Sequence, residues 1–156
     1  MLRRLRLFAS AMVLVGVAGS RAVSAQSADA QAVMAANAAF YDAISARDAA
    51  ALAKVYAHED FVMNVTPDGK YRGPGWAAVE PWIKNITRTF AQLEVKPSDV
   101  HVHVNGDVGW VMVTEHVSAR LPDGPPQQVT LQATNIFERI GGNWLMTQHQ
   151  PTLVAK

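Results

Sequence analysis

The side chains able to move a proton are spread through this 156-residue chain without forming any familiar motif. Glu115, Asp60, His103, His116 and His149 are the candidate acid–base groups, and none has a partner fixed by its spacing. A carboxyl at Glu115 facing an apolar interior would have its pKa raised by desolvation and suit general acid or base work. A strand-end glutamate reaching solvent is the plainer reading of the same residue. His101-Val102-His103 puts two imidazoles on one strand face, with His116 further along the neighbouring strand. Three converging histidines would make a zinc ligand set, but convergence requires the sheet to bend, so no metal is expected. The neutral amides Asn64, Asn135, Gln148 and Gln150, with Trp76, Trp82, Trp144, Phe137 and Met146, suit a small, mostly apolar ligand. For Trp144 and Phe137, filling the core is the better account. The ligand-binding candidates are Asn64, Trp82, Asn135, Trp144 and Gln148; no catalytic residue and no cofactor can be named.

These residues need elements to hold them. Val33, Ala36, Phe40 and Ile44 recur at helical spacing and predict a helix over Ala28–Ala46. Asp48 reads as the N-cap of a second helix, Ala49–Ala57, and a third is predicted over Trp76–Phe90, kinked or delayed by Pro81. Phe61–Val65 is a short strand closed by Thr66-Pro67-Asp68-Gly69, and Tyr71–Gly75 is loop. Strands follow at Leu93–Val104, Val108–Ala119, Val129–Ile140 and Trp144–Val154, with hairpin turns at Asn105-Gly106 and Gly141-Gly142. The class is α+β, one domain over residues 26–156.

Residues 1–25 read as a signal peptide, with Arg3, Arg4 and Arg6, an apolar run over Leu7–Val17, and Val23-Ser24-Ala25 before the cut. The apolar run is roughly half of the ~20 residues a membrane span needs. Export to the periplasm or beyond is expected, with no membrane attachment after cleavage. The net charge of +1 belongs to this leader: its four charges are all arginines, and the remainder has ten cations against thirteen anions. No basic stripe is left to suggest nucleic acid. The absence of cysteine excludes disulfides and thiol chemistry.

Strand alternation sorts the first hairpin into two faces. His101, His103, Trp110, Met112, Thr114 and His116 share one; Val100, Val102, Val104, Val111, Val113 and Glu115 share the other. The valine face should meet the helices. In the second hairpin Asn135, Phe137, Trp144, Met146, Gln148 and Gln150 are expected to share a face.

Phe40-Tyr41-Asp42-Ala43-Ile44, Ala46-Arg47-Asp48, Val55-Tyr56-Ala57 leading into Phe61-Val62-Met63, Tyr71-Arg72-Gly73, Gly106–Trp110, and Phe137-Glu138-Arg139 with Gly142-Asn143-Trp144 follow one another in an order that resembles the nuclear transport factor 2-like superfamily, in its SnoaL-like and ketosteroid-isomerase-like branch. The resemblance implies a cone: a curved antiparallel sheet wrapped around three N-terminal helices, with a pocket between them and often a dimer through the sheet. It implies no single reaction. Counted along the resemblance, the isomerase base falls at Asn64 and its tyrosine at Phe40, neither of which has the required chemistry; Tyr41 points about 100° away round the helix. The expectation is therefore an exported SnoaL-like domain that binds a small, mostly apolar molecule without an evident catalytic constellation. The alternatives are a lyase, isomerase or hydrolase of the same scaffold acting on a hydrophobic ring compound, and a dimeric assembly module. A homodimer through the face bearing Trp110 and Met112 is expected.

Overall fold

A computed structural model describes residues 18–154, with side chains from Ala28 onward. Residues 1–17, most of the expected leader, lie outside the described residues. The elements run α1 (Ala18–Ala46), α2 (Ala49–Val55), β1 (Met63–Val65), β2 (Tyr71–Arg72), α3 (Trp76–Thr89), β3 (Gln92–Asn105), β4 (Val108–Arg120), β5 (Gln127–Ile140) and β6 (Asn143–Leu153). The sheet order is β2-β1-β6-β5-β4-β3. All neighbours are antiparallel except β1 and β6, which pair in parallel, so the expected all-antiparallel sheet is mixed at this one pair. The sheet is curved and unclosed, with the helices on its concave side.

Most elements form for the reasons legible in the sequence. Val33, Phe40 and Ile44 make the buried stripe of α1. The Asp48 carboxylate accepts from the N–H groups of Ala50 and Ala51, both at 2.9 Å, and starts α2. α3 runs unbroken through Pro81. β2 replaces part of the expected loop and is held only by two residue pairs with β1. Gly109 is a close-approach position: a Cβ there would stand 2.9 Å from Val33 Cγ2, so only glycine lets α1 settle this near β4.

The first hairpin turns one residue later than expected. Asn105 pairs with Val108, leaving Gly106-Asp107 as the loop. Gly106 has φ +61°, the positive value that the first position of a two-residue turn of this kind needs, and Arg139 Nε donates to Asp107 Oδ1 at 3.0 Å. His103 now lies opposite Trp110, so the two faces keep their membership. The valine face is inside over Val104, Val111, Val113 and Glu115, which are buried, but Val102 is only half-buried and Val100, at the register break described next, is 40% exposed. Trp110 and Met112 stand on the outer face, 37% and 54% exposed. Next to Pro97 the strand is interrupted: the register breaks between Ser98 and His101, with Asp99 at φ +49°.

The second hairpin departs from plain alternation. Its register slips between Ile136 and Phe137, so that Phe137 pairs with Met146 and Ile136 with Gln148, leaving Thr147 as the extra residue of a bulge. Beyond it the faces exchange. His149 and Pro151 turn inward and are buried; Gln148 and Gln150 turn outward and bond to each other at 2.9 Å. The expected inward placement of Gln148 is thus corrected, and the bulge is the cause.

Candidate functional site

The inward alternation of β4 carries Val111, Val113 and then Glu115 toward the end of the sheet away from the hairpin turns. There the sheet and α3 diverge and leave a cavity of about 250 Å3. Trp82, Ile86 and Phe90 form its helical wall, Ile44 comes from α1, and Leu131 and Pro151 come from the sheet. Glu115 and His149 are the two ionisable groups in this apolar lining.

A chain of hydrogen bonds joins them. Tyr41 Oη donates to Glu115 Oε1 at 2.7 Å. Asn135 Nδ2 donates to Tyr41 Oη at 3.0 Å and to Asn37 Oδ1 at 2.8 Å. Those two donations leave Asn135 Oδ1 as an acceptor, and His149 Nδ1 lies 2.7 Å from it. The ring therefore carries its proton on Nδ1 and presents the bare Nε2 as an acceptor. Phe40 packs against the imidazole, ring centroids 4.8 Å apart.

Burial sets the charges. Glu115 is 3% exposed, and desolvation pushes its carboxyl up to about 7, against the opposing pull of the Tyr41 hydrogen bond. Desolvation pushes His149 down to about 3, so it is neutral at any physiological pH. Burial, and then the neighbouring Glu115 charge, raise the Tyr41 hydroxyl, which stays a donor. Near neutrality the site thus holds one carboxyl populated in both forms, with a fixed neutral acceptor and a fixed neutral donor beside it. Such a carboxyl can take and return a proton.

The expected ligand residues divide. Trp82 lines the cavity, and Asn135 is the centre of the hydrogen-bond chain. Asn64 is fully buried next to the site: it pairs with His149 across the β1–β6 step, its Oδ1 accepts from Tyr56 Oη at 3.3 Å, and its Nδ2 has no partner. Trp144 is buried at the opposite end, beside the Gly141-Gly142 turn, with the Arg139 guanidinium 4.6 Å above its ring. Gln148 faces outward, as described above. The sequence count sets Phe40 inward and turns Tyr41 away from it, whereas both are buried, the rings meeting edge to face at 5.1 Å. A helix face wide enough for two neighbours was the available signal. Of the histidines considered as ligands, His103 packs on Trp110 and His116 bonds to Ser98 Oγ at 3.0 Å. Among the described residues no three His, Cys, Asp or Glu side chains lie close enough to hold a metal ion.

The SnoaL-like domain profile matches residues 33–155. The chain belongs to the SnoaL-like domain family. It lies in the corresponding branch of the nuclear transport factor 2-like superfamily, as its solved relatives also indicate. It is similar to a protein from Streptomyces avermitilis named as a candidate dehydratase of the nuclear transport factor 2-like family, with 26% identity, 84% of this chain and 99% of that one covered, and TM-score 0.76. A candidate scytalone dehydratase from Novosphingobium aromaticivorans shares the fold at 10% identity, with 85% and 89% covered and TM-score 0.75. A superfamily member from Salmonella enterica does so at 17% identity, with 83% and 94% covered and TM-score 0.76. No curated protein matches this SnoaL-like chain.

Proposed function

We propose that this SnoaL-like domain is an acid–base lyase that eliminates water from a small, mostly apolar carbonyl compound held in the cavity. The observation that carries the reading is the buried Glu115 carboxyl, joined through Tyr41 and Asn135 to His149 in the wall of one apolar cavity. As carboxylate, Glu115 takes a proton from the carbon next to the carbonyl. The C–H bond breaks, a C=C bond forms, the C–O bond to the neighbouring hydroxyl breaks, and Glu115 returns its proton to the departing oxygen as water. His149 Nε2 accepts a hydrogen bond from that hydroxyl beforehand and orients it. The Streptomyces and Novosphingobium relatives, named as candidate dehydratases, favour elimination over other proton transfers. The test is incubation in D2O with 3-hydroxycyclohexanone and larger cyclic β-hydroxyketones, following enone absorbance and deuterium incorporation. Enone formation supports the lyase. Binding of these ketones with no exchange and no enone makes the domain a binding module, the second reading, which the apolar lining favours.

Export and self-association complete the proposal. The arginine start, short apolar run and Val23-Ser24-Ala25 support a leader cut before Gln26. Exported protein is expected to begin at Gln26, give or take two residues; membrane-bound material that keeps Met1 would refute it. Exposed Trp110 and Met112, rimmed by His101, His103 and His116, support a homodimer through the outer sheet face. Sedimentation should show a dimer at tens of micromolar and a monomer for Trp110→Glu; a monomeric natural protein would rule the interface out.

A further inference from the structure

We infer that the mouth of the cavity is a carboxylate site, so that the molecule turned over is an organic acid with an apolar body and one carboxylate at its outer end. The inference deepens the cavity reading above and rests on it. A second cleft, of about 390 Å3, adjoins the cavity and shares Leu93, Ala119 and Gln127 with it. Arg47 and Arg120 stand in this cleft.

Both guanidinium groups are held by neutral oxygens. Arg47 Nη1 donates to Phe90 O at 2.6 Å, and Phe90 is itself part of the cavity wall. Arg120 Nε donates to Gln92 Oε1 at 3.1 Å and its Nη1 to Pro122 O at 3.5 Å. Carbonyl and amide oxygens orient a guanidinium without neutralising it. Each guanidinium has five N–H donors, so both keep donors free for a two-oxygen anion. Among the described residues neither arginine pairs with an acid. The carboxylates nearby are engaged: Glu94, which lines the cleft, bonds to Lys96 at 3.0 Å, and Asp48 caps α2.

The backbone adds a second sign. Arg47 has φ +55°, just past the end of α1, where glycine or asparagine is the comfortable residue. An arginine there carries a conformational cost of about 1 kcal/mol, and residues kept at such cost cluster at ligand sites. The two ends of the combined space also differ in charge. Two cations and the Lys96-paired Glu94 line the cleft, while Glu115, the anionic group of the cavity wall, lies deeper. An acid is therefore drawn in with its apolar end first, which brings the uncharged carbons to Glu115.

The test uses N-phenyl-1-naphthylamine as an uncharged fluorescent occupant, displaced by 4-phenylbutanoate or by 4-phenylbutanamide, competitors of the same shape that differ in charge. The natural protein should prefer the acid by about tenfold or more, a preference that salt weakens. In the double variant Arg47→Gln/Arg120→Gln the acid should fall to the level of the amide, with reporter and amide affinities within about twofold of their starting values. Arg47→Lys/Arg120→Lys should keep part of the preference. Equal binding of acid and amide to the natural protein, or a preference that survives in the glutamine variant, overturns the inference and leaves the acid–base reading standing. A reporter that does not bind at all sinks the cavity reading and this inference with it. Acid preference here, with no enone from the hydroxyketones, sinks the lyase and leaves a cavity that binds an organic acid without turning it over.

Discussion

Glu115→Gln is expected to lower hydroxyketone turnover by about 10²- to 10⁴-fold while leaving ligand affinity within a few-fold, the range general acid–base catalysis commonly supplies. The amide is nearly isosteric and still accepts from Tyr41 Oη, so the cavity keeps its shape and loses only the group that takes and returns the proton. In the natural protein kcat/KM should rise with pH through a midpoint near 7, where the Glu115 carboxyl ionises. Tyr41→Phe should move that midpoint upward, because the lost hydrogen bond is the influence that opposes desolvation. A glutamine variant that turns over like the natural protein, or a midpoint unmoved by Tyr41→Phe, would remove Glu115 from the mechanism.

The second large effect is on folding. Glu115 goes from an ordinary 4.5 to about 7 on folding. The folded state therefore binds its proton more tightly than the unfolded chain. The associated stability is complete below pH 4.5 and is lost as pH rises through 7, a change of about 3 kcal/mol. His149 goes from 6.5 to about 3. Its contribution has the opposite sign: present above 6.5, it falls by roughly 4–5 kcal/mol as pH drops toward 3. Between pH 4.5 and 6.5 the two slopes oppose each other, so these groups together leave stability nearly level there. Replacing either exposes the other. Relative to the natural protein, Glu115→Gln should gain about 3 kcal/mol on going from pH 4 to pH 8, and His149→Gln should gain on going from pH 6.5 to pH 4. Urea unfolding across this range measures both. Curves that stay parallel to that of the natural protein would mean the two side chains titrate as they do in water. The expected gain at Glu115 also means the site holds a carboxylate that the fold would be more stable without, a common feature of catalytic groups.

How far the sequence anticipates this site depends on what each signal can carry. Periodicity fixes α1 and the valine face of β4, because a stripe of Val, Phe and Ile has only one way to be buried. The same alternation puts Glu115 inward, and its burial follows once α1 is close enough for Tyr41 to reach it. His149 was indistinct because one extra residue in β6, Thr147, reverses the count; a bulge has no composition of its own. It is the bulge that gives the interior an imidazole in place of the Gln148 and Gln150 amides. Tyr71–Arg72 forms a strand too short to leave a pattern. Asn135 was visible as a buried amide needing partners, but its partners, Asn37, Tyr41 and His149, come from both ends of the chain. The fold could be read from local pattern and resemblance; the hydrogen-bond chain, built on contacts 14 to 98 residues apart in sequence, could not.

β3 forms one border of the sheet, and a long bare strand in that position invites end-on growth into aggregates. This one is interrupted. Pro97 has no N–H to offer, Asp99 sits in the left-handed region, and the ladder breaks between Ser98 and His101. Ser45 Oγ from α1 takes the N–H of Val95 at 3.0 Å, removing one of the groups an incoming strand would use. Two regular stretches remain, Gln92–Ser98 and His101–Asn105, set out of line with each other. The border therefore cannot extend into a continuous ribbon with the same border of another copy.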